Sequence, residues 1–357
     1  MRVIIKFYYY MLYKKLLRPW LFRMDAETAH HTVFNQVKKL QKSDAFLKLV
    51  HDFTAVKSAS LEVTTSGLTF PNPVGLAAGF DKNAELMPAL AASGFGFLEI
   101  GSITARKSEG NPKPRMFRLP ADRALINRMG LNNEGAEPVT QRLSERSISL
   151  PVGVNIAKTP GIHKDTDSSI QDYVFSFRLA VETADYITLN ISCPNTGDGK
   201  SFEDPGLFRK LLEAVLPHRL TSVPVFVKFS ADTGDKELDE LIRISEELKV
   251  DGYVAVNTSN TRSGLKTANE LLTKIGNGGL SGIPLQKNAD ERVVFIRERV
   301  EPQKTVISVG GIFTGEDALR RLNAGANLIQ VYTALVYEGP QLPGKINDYL
   351  RNRLNRT

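Results

Sequence analysis

Between residues 70 and 333 the chain repeats one pattern, a short apolar run followed by a polar turn and a stretch with helical periodicity. Nearly continuous apolar runs are typical of strands that are buried on both faces, as in a parallel sheet covered by helices. Eight such runs favour a closed (β/α)₈ barrel over an open sheet. The predicted strands are Pro73–Ala77, Gly96–Ile100, Val152–Ile156, Tyr186–Asn190, Val225–Lys228, Gly252–Val256, Val306–Val309 and Leu328–Val331.

A doubly wound open sheet is the alternative architecture for this pattern. An open sheet that binds a dinucleotide carries a G-x-G-x-x-G fingerprint after its first strand. The segment 75–79 reads Gly-Leu-Ala-Ala-Gly and lacks that spacing. We therefore predict an α/β chain folded as a TIM barrel.

The first 50 residues interleave apolar and basic positions. Tyr8–Phe22 and Ala26–Leu40 are predicted to form two short amphipathic helices, and Asp25 is a suitable N-cap for the second. Basic residues interrupt the first helix, so it lacks the run of about 20 apolar residues that a membrane span requires. Residues 42–60 are expected to link this arm to the barrel. The predicted regions are an N-terminal helical arm, 1–50, and a barrel domain, 51–357.

Composition and charge narrow the function classes. Of the 357 residues, 42% are hydrophobic and 24% are charged, which is ordinary for a globular protein with a sizeable core. The net charge of +7 resides in positions 1–50, which hold ten Lys and Arg against three Asp and Glu. No nucleic-acid-binding signature accompanies this charge, so we expect the arm to contact an anionic membrane surface and the protein to bind no nucleic acid.

The predicted strands end in polar residues or glycines, which packing alone does not require. Barrel enzymes place their chemistry at the carboxyl ends of the strands, and glycines after the seventh strand can bring backbone amides to a phosphate. A buried lysine at such a position is costly unless an anion or another partner receives it. These residues are Gly79, Asp81, Lys82, Ser102, Asn155, Asn190, Lys228, Asn257, Thr258, Gly310, Gly311, Tyr332 and Thr333.

Three long connections follow predicted strands and are expected to be functional, because long ordered loops in a compact domain usually are. They are 102–133, 192–205 and 258–285. The second contains the only cysteine, Cys193, in the sequence NISCPNT. A thiol there is either a small buried hydrophobe or a general base, if its surroundings lower its pKa from about 8.5. The five histidines show no metal-binding spacing, so we predict no metal site.

Seven ordered motifs, spread over most of the chain, resemble those of dihydroorotate dehydrogenases. The resemblance implies oxidation of dihydroorotate to orotate with FMN, in pyrimidine biosynthesis. The N-terminal helices, together with the block Ala124–Gly130, look like the quinone-dependent class, in which such helices form a hydrophobic tunnel to the flavin. The motifs are GLAAGFDK (75–82), EIGS (99–102), NRMGL (127–131), GVNIAK (153–158), NISCPNT (190–196), GGLSGIP (278–284) and VGGI (309–312).

The resemblance also implies roles for single residues. Cys193 is the catalytic base. The residues expected to bind FMN are Ala78, Gly79, Phe80, Asp81, Lys82, Ser102, Asn155, Asn190, Lys228, Val256, Gly282, Gly311, Tyr332 and Thr333. The residues expected to bind dihydroorotate are Lys82, Asn127, Arg128, Met129, Gly130, Leu131, Asn190, Asn195, Asn257 and Thr258.

Two residues depart from the quinone-dependent pattern. Cys193 stands where that class ordinarily has serine, and Val256 stands where a flavin-contacting threonine is usual. The basic amphipathic arm outweighs these exchanges, so we expect a membrane quinone as acceptor and a peripheral location on the cytoplasmic side of the cell membrane. The alternatives are a soluble-type dihydroorotate dehydrogenase that uses fumarate or NAD, and a non-catalytic phosphate-ligand-binding barrel with a membrane arm.

Overall fold

A computed structural model describes residues 12–162, 165–192 and 202–354 of the chain. Two predicted site residues, Cys193 and Asn195, lie outside the described residues, as does the start of the predicted first helix.

Eight parallel strands close into a barrel, so the predicted TIM barrel is confirmed. Around the barrel their order is Gly252–Ala255, Thr305–Val309, Leu328–Val331, Val74–Leu76, Phe97–Ile103, Val152–Ile156, Tyr186–Asn190 and Val225–Phe229. All eight predicted barrel strands are present, with ends that differ by at most a few residues. Their residues are buried throughout, which explains the continuous apolar runs. The strands are β1 Val63–Thr65, β2 Leu68–Phe70, β3 Val74–Leu76, β4 Phe97–Ile103, β5 Met116–Leu119, β6 Ala124–Asn127, β7 Val152–Ile156, β8 Tyr186–Asn190, β9 Val225–Phe229, β10 Gly252–Ala255, β11 Gly279–Gly282, β12 Thr305–Val309 and β13 Leu328–Val331.

Helices cover the outside of the barrel, and Pro205–Val215 and Asp235–Glu247, for example, bury their apolar residues. Short 3₁₀ turns span Ala59–Leu61, Pro120–Asp122, Leu216–His218 and Ile283–Leu285, and a π-helical turn spans Tyr13–Leu17. The α-helices are α1 Arg18–Phe22, α2 Ala26–Leu40, α3 Asp44–Thr54, α4 Met87–Ala92, α5 Ala136–Ser144, α6 Thr166–Ala180, α7 Pro205–Val215, α8 Asp235–Glu247, α9 Asn269–Ile275, α10 Gln286–Arg297, α11 Gly315–Asn323, α12 Thr333–Glu338 and α13 Leu342–Leu354.

The N-terminal arm contains the two predicted helical segments. Helix α2 has the predicted bounds, and Asp25 caps it by accepting hydrogen bonds from the amides of Glu27 and Thr28, both at 3.0 Å. The described part of the first segment is the π-helical turn followed by α1. Among the described residues, no helix combines the length and the apolar character needed to cross a bilayer.

The segment 42–60, which was expected to link the arm to the barrel, contains helix α3. Ser43 caps this helix through a hydrogen bond from the amide of Phe46 at 3.4 Å, and its apolar positions recur with helical spacing. This helix was not predicted from the sequence. Helix α3 also runs across position 50, where the arm was expected to end.

Two of the long connections form a small sheet beside the barrel mouth. Strands β5 and β6 come from the connection after β4, and β11 comes from the connection after β10. They pair antiparallel in the order β11-β6-β5, with Asn127 opposite both Met116 and Gly279. All three strands are only four residues long, and β11 pairs with β6 across some 150 positions. Such short strands carry too little periodicity to be recognised in the sequence.

Candidate active site

A cavity opens at the carboxyl ends of the barrel strands, between the barrel and the small sheet. It encloses about 1200 Å³ of space not filled by protein atoms, including the part open to solvent. Most of the predicted site residues line it. They are Ala78, Gly79, Lys82, Ser102, Asn127, Met129, Gly130, Leu131, Asn155, Asn190, Lys228, Val256, Asn257, Thr258, Gly282, Gly311, Tyr332 and Thr333.

Three predicted residues do not line this mouth cavity. Asp81 is buried behind it, where its carboxylate accepts hydrogen bonds from the amides of Glu85 (2.8 Å) and Leu86 (2.7 Å). Phe80 faces a second cavity, described below. The Arg128 guanidinium points away and donates to the carbonyl of Asn277 at 3.0 Å. These three side chains therefore support the site from outside rather than face its interior.

Hydrogen bonds connect the strand ends around the mouth. Asn190 donates to the Ser102 hydroxyl at 3.2 Å, and Ser102 donates to the side-chain oxygen of Asn155. Asn257 Nδ2 donates to the Asn190 side-chain oxygen (3.2 Å) and to both oxygens of Ser192 (3.0 and 3.2 Å). The amide side chains are thus fixed relative to one another, and so is the residue immediately before Cys193.

Lys228, at the end of β9, is a buried cation without a direct partner. Its residue surface is 6% exposed, and its ammonium makes no hydrogen bond or ion pair with any described residue. Burial lowers the pKa of Lys228, and the negative charge of Glu99 opposes that shift. An anionic or electron-rich group in the mouth would supply the missing partner.

Glu99 lies below this lysine in the barrel interior and is fully buried. Its carboxylate accepts hydrogen bonds from Asn155 Nδ2 (2.8 Å), Gln330 Nε2 (2.7 Å) and the Thr188 hydroxyl (3.2 Å). A buried carboxylate needs such donors, because unpaired it would be strongly destabilising. Glu99 therefore orders the polar layer beneath the mouth.

Lys82 is the second cation of the mouth. Its ammonium donates to the carbonyl of Gly79 at 2.9 Å. Burial, reinforced by the positive charge of Arg115, lowers the pKa of Lys82 to about 8. Lys82 is therefore predominantly charged at neutral pH and can bind a carboxylate.

The glycines after β12 form a loop suited to phosphate. Gly310 and Gly311 both have positive φ, 118° and 70°. Their backbone amides donate to no described residue. Their carbonyls, by contrast, accept hydrogen bonds from side chains. The buried Arg321 guanidinium donates to the Gly310 carbonyl at 2.8 Å, and Gln286 Nε2 donates to the Gly311 carbonyl at 2.8 Å. The C=O and N–H of a trans peptide point in opposite directions. Holding these two carbonyls therefore turns the N–H groups of Gly311 and Ile312, which both line the mouth, away from their partners and makes them available to an anion.

These features fit a flavin mononucleotide. A Cβ added at Gly79 would project into the mouth and meet only the Tyr332 ring, at 3.5 Å, so the glycine leaves room for a flat ring system. Lys228 offers an unpaired cation, and the 310–311 loop offers amides for a phosphate at another end of the same cavity. The residues of the mouth therefore match a planar, phosphate-bearing cofactor.

A second, apolar cavity lies between the N-terminal arm and the barrel and encloses about 1140 Å³ of space not filled by protein atoms, again including the part open to solvent. His30 is one of the few polar residues in its lining. Burial lowers the pKa of His30 to about 3, so the imidazole is neutral. Three residues line both cavities, namely Met116, Leu125 and Tyr332. Phe80 makes edge-to-face contacts with His30 (5.3 Å between ring centroids) and with Tyr332 (5.7 Å). One layer of side chains thus separates the two cavities.

Sequence reasoning missed three residues that shape the mouth. Glu99 and Gln330 lie inside barrel strands, and Arg321 lies on helix α11. The signal for Glu99 and Gln330 was a polar residue within an otherwise apolar strand. Arg321 had no such signal, because its adjacent residue Arg320 looks equivalent in sequence but is exposed in the fold.

Comparison with known proteins agrees with this geometry. The sequence model of the family described as dihydroorotate dehydrogenase matches residues 60–354. A protein of Nocardioides sp. named dihydroorotate dehydrogenase (quinone) is 44% identical over 340 residues, covering 91% of this chain and 93% of that protein. A protein of Christiangramia forsetii with the same name is 41% identical over 342 residues, covering 94% and 98%. The crystal structure of ligand-free dihydroorotate dehydrogenase from Eimeria tenella superposes with a TM-score of 0.80 at 33% identity, covering 93% and 96%.

Proposed function

Because this chain belongs to the dihydroorotate dehydrogenase family, we propose that it oxidises dihydroorotate to orotate with bound FMN and passes the electrons to a membrane quinone. This reaction is a step of pyrimidine biosynthesis. The observation that carries the proposal is the pair of cavities with one shared wall, one polar and lined by two lysines, the other apolar.

The mouth residues hold the two ligands of the first half-reaction. The backbone amides of the 310–312 loop would bind the FMN phosphate, Gly79 would leave room for the ring system, and Lys228 would offer a positive charge to the bound cofactor. Ala78, Ser102, Asn155, Val256, Gly282, Tyr332 and Thr333 complete the FMN-binding surface. Asn127, Met129, Gly130, Leu131, Asn190, Asn257 and Thr258 surround dihydroorotate, and Lys82 binds its carboxylate.

Cys193 acts as the general base and removes the proton at C5 of dihydroorotate. FMN, when bound, would supply the acceptor for the hydride from C6 and for its onward transfer as electrons. The position of Ser192 supports this role, because its carbonyl and hydroxyl are bonded to Asn257 inside the mouth. Ser192 is therefore held at the mouth, and Cys193 follows it in the sequence. Asn195, further along the same connection, binds the substrate.

The apolar cavity receives the quinone. Its lining is hydrophobic, and the neutral imidazole of His30 bonds to no described residue, so His30 can donate to a quinone oxygen. Tyr332 and Phe80 bridge from this cavity to the flavin site.

The N-terminal arm, proposed as residues 1–50, docks peripherally on the cytoplasmic face of the cell membrane. Leu16, Leu17 and Trp20 are 63%, 47% and 52% exposed. Lys15 lies among them and is also exposed. Exposed apolar side chains beside basic ones suit an anionic membrane interface. The barrel domain, proposed as residues 51–357, holds FMN.

Anaerobic spectroscopy of the purified holoenzyme tests the proposal. Dihydroorotate should bleach the flavin, and a quinone added next should restore its absorbance. Restoration by fumarate or by NAD, but not by quinone, would support the soluble-type alternative. Absence of flavin from the carefully purified protein would overturn the proposal and favour the non-catalytic barrel.

A further inference from the structure

A buried ion pair connects the N-terminal arm with the substrate side of the mouth. Glu27 lies in the first turn of α2, and Arg115 immediately precedes β5. Their side chains are 4% and 8% exposed. Arg115 Nε donates to both carboxylate oxygens of Glu27 (3.1 and 3.3 Å), and Arg115 Nη2 donates to Oε1 at 2.9 Å. Burial alone would raise the pKa of Glu27, but the hydrogen bonds and charge of Arg115 hold it below its ordinary value.

The same guanidinium also holds a loop backbone. Arg115 Nη1 donates to the carbonyls of Glu109 (2.7 Å) and Asn111 (3.0 Å). The Arg115 carbonyl in turn accepts a hydrogen bond from the Arg128 amide at 2.9 Å. Every nitrogen of this guanidinium is thus engaged, either by the arm or by the loop.

The loop transmits this placement to the mouth. The backbone N–H of Asn111 donates to the Met129 carbonyl (3.0 Å), and the side-chain Nδ2 of Asn111 donates to the Arg128 carbonyl (2.9 Å). The packing is tight, since a Cβ at Gly110 would lie 2.2 Å from the Met129 carbonyl oxygen. Met129 and Gly130 line the mouth cavity. A continuous path therefore runs from Glu27 through Arg115 and Asn111 to the wall of the substrate site.

We propose that Glu27 and Arg115 are positioning residues for dihydroorotate, so that the helix beside the apolar cavity also sets the geometry of the substrate site. This inference rests on the proposed function, since it concerns the same mouth. It predicts that the arm contributes to the first half-reaction as well as to the second. Deleting the arm would leave Arg115 buried without its carboxylate and disturb both.

The test compares two charge-neutralising variants of the same helix. Glu27→Gln keeps a hydrogen-bond acceptor but removes the charge that orients Arg115. Lys38→Met removes a separate ion pair of α2, which joins Lys38 to Glu85 away from the mouth and involves neither Glu27 nor its partners Arg115 and Lys113. Orotate affinity is measured from the change in flavin absorbance of the oxidised holoenzyme. We expect Glu27→Gln to weaken orotate binding by on the order of tenfold, the effect of one charged hydrogen bond, and Lys38→Met to leave it unchanged.

FMN content and the thermal unfolding midpoint separate positioning from general stability. A merely structural pair would lower the midpoint without changing the orotate dissociation constant of the folded protein. If both variants leave that constant unchanged, or if both weaken binding equally, the inference is wrong.

A second variant breaks the path at its other end. Asn111→Ala leaves the ion pair intact and removes the side-chain bond to the Arg128 carbonyl, so folding should persist even if Glu27→Gln does not fold. It should also weaken orotate binding, and the double variant should be weakened less than the product of the single effects, because both act on one path. Wild-type affinity in Asn111→Ala would overturn the inference. Failure of the wild-type holoenzyme to bind orotate would instead overturn the proposed function.

Discussion

The mouth cavity and the apolar cavity share one wall and differ in almost everything else. The mouth is lined by two lysines, four asparagines and the glycines of the 310–311 loop, whereas the apolar cavity is lined by side chains such as Val33, Phe34 and Leu86. The polar groups suit a substrate that carries a carboxylate and a cofactor that carries a phosphate. The apolar lining suits a hydrophobic acceptor. The difference predicts that dihydroorotate binding and proton transfer are confined to the mouth, and that the hydrophobic acceptor binds on the other side of the wall.

The two cavities also differ in how their walls are made. The mouth is built on barrel strand ends, where hydrogen bonds fix each side chain relative to its neighbours. The apolar cavity is closed on one side by α2, which is held to the rest of the protein by contacts that include Glu27–Arg115 and Lys38–Glu85. The following predictions test whether the two cavities can be perturbed separately.

The largest expected effect belongs to the mouth alone. Cys193→Ala should slow bleaching of the flavin by dihydroorotate by a factor of about 10² to 10⁴, the usual range for loss of a general base. FMN should remain bound. Cys193→Ser should keep more activity than alanine but require higher pH, because a hydroxyl is a much weaker acid than a thiol. Stopped-flow measurement against pH decides, and wild-type bleaching by Cys193→Ala would mean that the thiol only packs.

The phosphate end of the mouth should respond to Arg321. Arg321→Met frees the Gly310 carbonyl and should weaken FMN binding by on the order of 10-fold to 100-fold, since hydrogen bonds to a charged group are lost. Riboflavin, which lacks the phosphate, should lose much less affinity. Arg320→Met is the matched control, because Arg320 binds the same Asp290 but is exposed. Equal losses for FMN and riboflavin would show that Arg321 supports the fold rather than the phosphate loop.

The apolar cavity should be open to separate perturbation. Val33 lines this cavity and is 42% exposed, so Val33→Trp should fill part of the space without disrupting the core. We expect the quinone KM to rise about tenfold, which corresponds to a loss of about 1.4 kcal/mol from one mispacked contact. Bleaching by dihydroorotate should keep its wild-type rate. Val294→Trp, at a valine 40% exposed on α10, serves as the control. Slower bleaching in Val33→Trp alone would mean that the cavities are coupled more tightly than their shared wall suggests.

The smallest expected effect is a pH dependence of the mouth. With a pKa of about 8, Lys82 is charged below that pH and neutral above it. The orotate carboxylate should therefore bind well near neutrality and several-fold more weakly by about pH 9, as the charged fraction falls. Titration of orotate into the oxidised holoenzyme at stepped pH measures this. The dependence should vanish in Lys82→Met, and its persistence there would assign it to another group.

Much of the fold could be predicted because each barrel strand carries its own signal. A strand buried on both faces, such as Val152–Ile156, must be apolar throughout, and its bounds were predicted without error. The Asp25 cap and the bounds of helix α2 were also predicted correctly, because an N-cap and an apolar stripe are local features of the sequence. Helix α3 was not recognised, because it begins only a few residues after α2 ends and lies where a linker was expected.

The candidate site divides in the same way. Strand-end residues such as Asn155 and Lys228 could be found from their positions, since every parallel strand of a barrel delivers its carboxyl end to one face. The direction of a side chain could not be found. Arg128 belongs to the same motif as Met129, yet its guanidinium turns away from the mouth to bind the 275–277 turn.

The sequence by itself determined where the apolar strands lie along the chain, which polar residues follow them, and that the N-terminal arm is amphipathic. Each of these features depends on residues that are neighbours in the chain. Only the tertiary structure decided which distant groups meet. Glu27 and Arg115 are 88 positions apart, and Glu99 and Gln330 are 231 apart. Such pairs carry no local periodicity, since their contact is set by barrel closure and by docking of the arm. The shared wall of Met116, Leu125 and Tyr332 arises in the same way, from three segments that only the folded chain brings together.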